Sequence, residues 1–313
     1  MVDVILTVTM NPAYDMTYRV EGFERGRAHR VRSVEQRIGG KGINVTRVLN
    51  QLGKYARATG FSDHAFAAAA ELELPVDFVH ALPWVRRTVV ISESEDGTAT
   101  ALWEPGARIS NPHAAEQLSV RVSGLLPGIN GLVISGPLPG GIDPGLPAQI
   151  ARTAVEAGVA TICDVDGEAL RLAADVPGVV LMPNAEGVER LTGRTPRTAD
   201  AVVEAAYPLI ERGVRAVIAT GCIEGMVAVT ATGGWSAVPP PTITGNPTGA
   251  DDSAAAAVIA ALSERSEPDW GAILADAVAT AAAAKVIPVA GEIDRCTRTR
   301  IAPHIVVEKL AVP

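Results

Sequence analysis

Residues 131–165 read GLVISGPLPGGIDPGLPAQIARTAVEAGVATICDV, which predicts a strand, a helix and a second strand. The apolar runs 131–135 and 160–165 have the length of buried strands, and the helical pattern over 146–157 stops at Gly158. The same alternation continues with a strand over 179–182, a helix over 199–212 and a strand over 216–219. Such a succession forms right-handed βαβ units, so the sequence predicts an α/β fold with a mostly parallel central sheet between two helical layers.

The N-terminal half contains β-rich segments that lack helices of their own. Residues 17–20 predict a short exposed strand, and residues 88–92 and 98–103 predict a hairpin around Glu95-Asp96-Gly97. We expect the segments at about 17–38 and 86–104 to form a small β-sheet that lies over the main sheet as a lid, within one domain spanning 1–313. The other predicted elements are strands at 2–8, 226–230 and 235–238, the last two around a Gly233-Gly234 turn, and helices at 44–52, 250–263 and 270–285.

Composition excludes several classes of function. The formal net charge of −8 gives no electrostatic basis for binding nucleic acid or an anionic membrane, so we expect neither partner. Three widely spaced cysteines suit a reducing compartment and lack metal-ligand spacing. The first residues have neither the basic segment nor the length of a signal or membrane helix, so a cytoplasmic protein is expected.

Four loops carry the residues that suit ligand chemistry. In open α/β sheets, ligands bind at the carboxyl ends of the strands, where the loops 11–15, 39–44, 135–141 and 246–253 are expected to lie. The last of these, Asn-Pro-Thr-Gly-Ala-Asp-Asp-Ser, opens an alanine-rich helix, and the start of a helix presents free N–H groups to a phosphate. An aspartate at such a position is also a common helix cap, and a glycine loop is also a common tight turn, so each motif alone leaves both interpretations open.

The common nucleotide and hydrolase signatures are absent from the sequence. The two Gly-Lys pairs, at 40–41 and 53–54, are followed by Gly42 and Tyr55, so neither belongs to a P-loop. No G-x-G-x-x-G follows the first strand, and neither H-E-x-x-H nor G-x-S-x-G occurs. These absences disfavour P-loop, dinucleotide-binding, zinc-protease and serine-hydrolase functions.

Two motifs together resemble a known family. The run Gly-Gly-Lys-Gly-Ile-Asn-Val-Thr at 39–46 resembles the first signature of the PfkB-type, ribokinase-like carbohydrate kinases, and 246–253 resembles the second. The opening T-x-N-P-A-x-D and the S-G-x-L-P-x-G at 135–141 resemble the branch that contains 1-phosphofructokinases and tagatose-6-phosphate kinases. The resemblance implies a ribokinase-like fold, ATP and Mg²⁺ as cofactors, a sugar phosphate as substrate, and in some relatives a homodimer formed through the lid.

The resemblance also implies roles for particular residues. Asp252 is implied as the general base that takes a proton from the sugar hydroxyl. The residues implied in binding the sugar are Asp15, Gly39, Gly40, Lys41 and Asn44, with Arg30 and Arg87 near its phosphate. The residues implied in an anion hole for the transferred phosphoryl group are Gly249, Ala250 and Asp251. The residues implied on the ATP and magnesium side are Asn184, Thr220, Gly221 and Gly225.

Several positions depart from the family pattern. Asp251 stands where the second signature usually has glycine, and Thr88 where the branch usually has asparagine. The family's K-P-N-x-x-E reads Met-Pro-Asn-Ala-Glu-Gly at 182–187, which leaves Glu186, one residue early, as the candidate metal ligand. Three functions therefore stay open: an active sugar-phosphate kinase with fructose 1-phosphate as the first candidate substrate and tagatose 6-phosphate as the second, a degenerate sugar- or nucleotide-binding protein, and a kinase of a non-phosphorylated sugar.

Overall fold

The computed structural model describes residues 4–313 except 96, 97, 242, 244, 265 and 266. The strands in this part of the chain are β1 Val4–Thr9, β2 Ala13–Val20, β3 Ser33–Gly39, β4 Tyr55–Ser62, β5 Val76–His80, β6 Arg86–Glu93, β7 Ala99–Trp103, β8 Gly131–Ser135, β9 Ala160–Asp164, β10 Val180–Leu181, β11 Ala216–Thr220, β12 Met226–Thr230, β13 Gly233–Val238 and β14 Val306–Leu310. The helices are α1 Lys41–Gln51, α2 His64–Glu71, α3 Ala114–Leu125, α4 Leu146–Glu156, α5 Gly167–Ala173, α6 Ala185–Thr192, α7 Ala199–Glu211, α8 Ala250–Glu264, α9 Trp270–Lys285 and α10 Arg295–Ile301.

The main sheet has ten strands among the described residues, in the order β14-β13-β12-β11-β10-β9-β8-β1-β4-β5. The strands from β11 to β5 are parallel, and β12, β13 and β14 add an antiparallel edge. The predicted mostly parallel α/β fold is therefore confirmed. In this register Thr9 lies opposite Ser135, and Ser135 lies opposite Asp164, so three strands end side by side.

Helices cover both faces of the sheet because side chains alternate along each buried strand. In β1, Leu6 and Val8 join the core that contains Phe66 of α2, whereas Ile5 joins the core that contains Ile259 of α8. Helices α1, α8 and α9 lie on the second face. Among the described residues no helix is both long and apolar enough to cross a membrane.

The predicted small sheet is also present, with strands in the order β3-β2-β6-β7. Strand β2 begins at residue 13, earlier than the predicted 17, and it pairs in parallel with β6 and antiparallel with β3. Strands β6 and β7 pair antiparallel as predicted. Positions 96 and 97 of their connection lie outside the described residues, as do residues 2 and 3 of the predicted first strand.

One predicted turn is wrong. Gly233 and Gly234 do not connect β12 to β13 but belong to β13, where they pair with Thr230 and Val229. The turn lies at 231–232. A Cβ on Gly234 would lie 3.0 Å from Val203 Cγ2, so close packing of helix α7 on the strand explains this glycine.

Candidate active site

The candidate site lies where helices α1 and α8 begin, beside the carboxyl ends of β1, β8 and β9. Gly40 precedes α1 with a φ of 106°, and a Cβ there would lie 2.9 Å from Pro12 Cα. A Cβ on Gly42 would lie 2.5 Å from Thr9 Oγ1, so the first turn of α1 approaches β1 closely. The glycine-rich loop therefore packs the start of α1, with Lys41 and Asn44, against the ends of the central strands.

Asp252 is buried in the first turn of α8, and only 5% of the residue is exposed. Asn44 Nδ2 donates a hydrogen bond of 2.9 Å to Asp252 Oδ2. Burial raises the pKa of Asp252 to about 7; the positive charge of Lys41 opposes this shift, and the negative charge of Asp164 adds to it. A carboxyl group with a pKa near neutrality is suited to accept a proton at physiological pH.

Lys41 connects Asp252 to a second buried carboxylate. Lys41 Nζ donates a hydrogen bond of 2.9 Å to Asp164 Oδ1, at the end of β9. Burial raises the pKa of Asp164 to about 6, against the opposing effect of Lys41. Burial acts to lower the pKa of Lys41, but Asp164, Asp166 and Asp252 together raise it, so the lysine stays protonated. Asp164 Oδ2 is buried and has no hydrogen-bond partner among the described residues, so it is available to a ligand.

Asp15 lies on β2 of the small sheet and faces the same site. Thr88 on β6 donates a short hydrogen bond to Asp15 Oδ1, and a Cβ on Gly39 would lie 2.1 Å from Asp15 Oδ2. Burial raises the pKa of Asp15, whereas hydrogen bonds from Thr88 and Asn44 oppose the shift. Asn44 thus joins Asp15 to Asp252, and Gly39 leaves room for the carboxylate.

The arginine that faces this site is Arg86, whereas the sequence pointed to Arg87. Strand register places Ala13 opposite Arg86, Tyr14 opposite Arg87 and Asp15 opposite Thr88. Because side chains alternate along a strand, Arg86 shares the face of Asp15, and Arg87 points to the other face with Tyr14. Burial lowers the pKa of Arg86, and the charge of Asp15 opposes that shift, which places the two groups within electrostatic reach. The role expected for Arg87 stays a prediction, and the strand register adds Arg86 as a second candidate on the face of Asp15.

Two other predicted residues have no hydrogen bond or ion pair to this cluster within the described residues. Arg30 is exposed in the connection between β2 and β3, and within the described residues it has no ion pair. Glu186 is 78% exposed at its side chain and forms a 3.0 Å ion pair with Arg190 on the same helix. Across the described ranges, no three acidic, histidine or cysteine side chains converge as a ready-made metal site.

The start of α8 differs from the predicted anion hole at one position. The N–H of Ala250 already donates to the carbonyl of Pro247 at 3.1 Å, so it is not free for a phosphate. The N–H groups of Gly249 and Asp251 have no acceptor within the part of the chain that is described. Gly249 has a φ of 82°, which only glycine adopts readily. Two of the three predicted donors are therefore open, at the positive end of the helix dipole.

The predicted ATP-side residues lie on adjoining loops. Asn184 caps α6 by accepting a 2.9 Å hydrogen bond from the N–H of Gly187, and the N–H of Thr220 donates to the carbonyl of Pro183 at 3.0 Å. A Cβ on Gly221 would lie 3.8 Å from the N atom of Ala185. These contacts hold the loops after β10 and β11 together. At position 225 a glycine is explained by close packing, since a Cβ there would lie 2.0 Å from the carbonyl oxygen of Ala237.

Three residues of this arrangement were not found from the sequence: Asp164, Asp166 and Arg86. The run Asp-Val-Asp at 164–166, where the strand predicted over 160–165 ends, was a usable signal, because strand ends carry ligands in this fold. Arg86 needed the register of β2 and β6, which the sequence pattern does not supply.

The protein is a sugar kinase by family, because the chain matches the pfkB family carbohydrate kinases over residues 8–297 and belongs to that family. It is 30% identical over 269 residues to a 1-phosphofructokinase of Xanthomonas campestris pv. campestris, covering 82% of this chain and 83% of the relative. It is 31% identical over 194 residues to a tagatose-6-phosphate kinase of Staphylococcus epidermidis, covering 60% and 62% of the two chains.

Solved structures share the whole fold. A crystal structure of phosphofructokinase-2 from Escherichia coli in complex with fructose-6-phosphate superimposes with a TM-score of 0.84 at 26% identity, covering 97% of this chain and 99% of the other. A possible 1-phosphofructokinase from Thermotoga maritima superimposes with a TM-score of 0.88 at 24% identity, covering 98% and 99%. The predicted ribokinase-like kinase fold and carbohydrate kinase activity are confirmed at the level of the family.

Proposed function

We propose that this protein transfers the γ-phosphoryl group of ATP to a hydroxyl of a sugar that already carries a phosphate, with Asp252 as the general base. One observation carries the proposal: Asp252 is buried in the first turn of α8, is bonded to Asn44, and has a pKa of about 7 beside a protonated Lys41. A carboxylate in this position can take the proton of an attacking hydroxyl.

In the proposed mechanism the protein mainly positions groups and stabilises charge. The sugar hydroxyl gives its proton to Asp252 as its oxygen attacks the γ-phosphorus, and the bond from that phosphorus to the β,γ-bridging oxygen breaks to release ADP. The open N–H groups of Gly249 and Asp251 stabilise the negative charge on the transferred group. A general base of this kind contributes about 10²- to 10⁴-fold to the rate.

The proposed sugar-phosphate site combines Asp15 and Asn44 for hydroxyl groups with Lys41 and Arg86 for the phosphate. Arginine binds phosphate in a bidentate fork, and Arg86 has the partly buried position on the face of Asp15 that such a contact needs. Fructose 1-phosphate is the first candidate substrate and tagatose 6-phosphate the second, because relatives over most of the chain are kinases named for these reactions. Arg30 and Arg87, which are exposed, are further candidates for the same phosphate.

ATP is proposed to bind along the loops that carry Asn184, Thr220 and Gly221. Magnesium in kinases is held by one or two carboxylates together with the phosphates of the substrate, so the lack of a larger acidic cluster among the described residues fits this metal. Asp164, with its unbonded Oδ2, would hold it, and Glu186 would have to leave Arg190 to contribute. When bound, the ion neutralises charge on the phosphates.

Two further proposals concern the small sheet and the cell compartment. The small sheet is proposed as a lid and as the contact surface of a homodimer, since Val34 on β3 and Leu102 and Trp103 on β7 are 48%, 57% and 72% exposed. A lower mass in sedimentation for Leu102→Asp than for the wild type would support this contact surface.

We also infer a cytoplasmic location, which suits ATP as a substrate and the three free cysteines of the described chain.

A coupled assay of ADP formation tests the function. Fructose 1-phosphate, tagatose 6-phosphate, fructose 6-phosphate and fructose are compared as acceptors for the wild type, with Asp252→Asn as the inactive reference. We expect the phosphorylated sugars to exceed fructose by about 10²-fold in kcat/KM, since charge-assisted hydrogen bonds to the phosphate are lost with fructose. Equal rates with fructose and its phosphates would indicate a kinase of a non-phosphorylated sugar, and no turnover with any acceptor would indicate a degenerate binding protein.

A further inference from the structure

Arg37 lies on strand β3 of the small sheet, on the face that carries Asp15. The register pairs Arg37 directly with Asp15 of β2, and residues that are directly opposite in an antiparallel pair project to the same face. Arg37 Nη2 donates a hydrogen bond to Glu292 Oε1, which forms an ion pair between side chains that are 29% and 39% exposed. Arg37 therefore connects the small sheet to a segment near the end of the chain.

Glu292 belongs to the connection between α9 and α10, which also packs against the candidate site. A Cβ on Gly291, the preceding residue, would lie 3.0 Å from Asn44 Oδ1. A Cβ on Gly249 would lie 3.3 Å from the N atom of Gly291. Gln51 of α1 holds the connection at this point, because its Nε2 donates to the carbonyl of Gly291 at 2.9 Å. The residue next to Glu292 is thus in close contact with both α1 and the start of α8.

We propose that Arg37 and Glu292 are positioning residues that fix the small sheet relative to the starts of α1 and α8, and that the pair thereby sets the affinity for the sugar phosphate but not for ATP. The inference rests on the proposed function, in which the sugar contacts Asp15 on the small sheet and Asn44 on α1 at the same time. A ligand that contacts two parts of a protein binds more weakly when those parts move relative to each other, because binding must then restrain the motion. ATP is proposed to bind at the loops after β10 and β11, which this ion pair does not touch.

The ion pair is a modest contact, and strand β3 has a second bond to the main body. Ion pairs between partly exposed side chains usually change an equilibrium by a few-fold at most. Arg47 Nη2 on α1 also donates to the carbonyl of Ile38 in β3, at 3.0 Å. Loss of the ion pair should therefore loosen the small sheet without unfolding it, and we expect an effect on sugar affinity of about threefold to fivefold.

The small sheet itself contains a matched control. Arg19 of β2 and Glu35 of β3 form an ion pair of 2.9 Å, with side chains that are 42% and 41% exposed. Glu35 lies two residues before Arg37 on the same strand, so the two pairs lie on the same face. Both members of the control pair belong to the small sheet, so it cannot restrain the sheet relative to the connection that carries Glu292.

Hydrogen–deuterium exchange of the free protein tests the link without turnover. Arg37→Gln should speed the exchange of amides at 286–293 by at least about threefold, because the connection loses its contact with the sheet. Glu292→Gln should in turn speed exchange at 33–39 by a similar factor. Arg19→Gln should leave exchange at 286–293 unchanged. The absence of this reciprocal effect, or an equal effect of Arg19→Gln at 286–293, would overturn the inference.

Steady-state kinetics test the effect on the substrates. Arg37→Gln and Glu292→Gln should each raise the KM for the sugar phosphate about threefold to fivefold, with the KM for ATP changed by less than about twofold. Glu35→Gln should change neither value. The double variant Arg37→Gln/Glu292→Gln should be no worse than either single variant, because both remove the same contact.

Two kinetic results would contradict the role of the ion pair. Equal rises in the KM for ATP and for the sugar phosphate would show a general loosening of the protein, and multiplied effects in the double variant would show that Arg37 and Glu292 act separately. The exchange measurement needs no turnover. A wild type that phosphorylates no sugar phosphate would therefore contradict the proposed function, while exchange at 33–39 and 286–293 still decides whether the pair fixes the small sheet.

Discussion

The pH dependence of the enzyme should depend on Asp251, the acid that stands in place of a glycine. Asp251 is exposed in the first turn of α8, and its negative charge contributes to the raised pKa of both Asp252 and Asp164. At an effective dielectric constant of about 20, two like charges roughly 7 Å apart repel by about 2.4 kcal/mol. Solvent around the exposed carboxylate reduces this to about 1 kcal/mol. Such an energy corresponds to somewhat less than one pKa unit.

The expected sign of the change follows from the role proposed for Asp252 as the general base. Asp252 accepts a proton only when it is ionised, so kcat/KM falls as the pH drops below its pKa of about 7. Replacing Asp251 with asparagine removes the like charge, which lowers the pKa of Asp252 and moves the acidic limb of the profile to lower pH by about half to one unit. At about pH 6, kcat/KM should therefore rise roughly three- to fivefold. The rate at about pH 8.5 should stay the same.

Profiles of kcat/KM against pH for the wild type, Asp251→Asn and Asp200→Asn test whether the charge of Asp251 sets the position of the acidic limb. Asp200 is the control, since it is also an exposed aspartate in the first turn of a helix. An acidic limb that stays in place in Asp251→Asn refutes the electrostatic reasoning. A collapse of activity at every pH, restored in part by raised magnesium, would show instead that Asp251 binds the metal.

Asp252→Asn should lower turnover by about 10²-fold or more in the ADP assay. The same change should raise the melting temperature at about pH 8. Burial favours the protonated carboxyl of Asp252, so the free energy of unfolding of the wild type falls as the pH rises from about 4 to 7, and asparagine removes the buried charge that causes this loss. Arg86→Ala should raise the KM for the sugar phosphate about tenfold or more, and Arg87→Ala should change it by less than about threefold; equal effects would contradict the strand register. Gly39→Ala would place a Cβ 2.1 Å from Asp15 Oδ2 and should raise the sugar KM about tenfold with little change in the KM for ATP, which two parallel titrations measure.

Local patterns were sufficient to predict the layered fold. The predicted bounds of β8 and α9 agree with the structure, since a continuous apolar run identifies a buried strand and an alanine-rich run between turn residues identifies a helix. The helix predicted to end before Gly53 does so, with that residue at a φ of 80°. These features are determined by residues that are neighbours in the chain, so they can be predicted from the sequence alone.

Features that depend on the pairing of distant strands were missed. Strand β14 is mostly exposed, so it has no continuous apolar run, and it forms only by pairing with β13. The choice between Arg86 and Arg87 depends on the register of β6 against β2, because a shift of one residue reverses the face of every side chain. The loops of the site were located from the sequence, but the face that each side chain presents was not.

The energetic cost of the site argues that the protein is an active kinase and not a degenerate one. Asp252 and Asp164 are buried carboxyl groups whose pKa is raised to about 7 and about 6, so at neutral pH each makes the folded state less stable than an apolar replacement would. Asp164 Oδ2 and Asn44 Oδ1 are also buried without partners in the described chain, which costs further stability. A fold needs none of these groups for packing, because the core on either side of the sheet is continuous without them. Catalysis explains why these groups lie together. A bound substrate would complete the contacts of the unbonded polar atoms and of the cation, and a proton transfer requires a base near neutral pH.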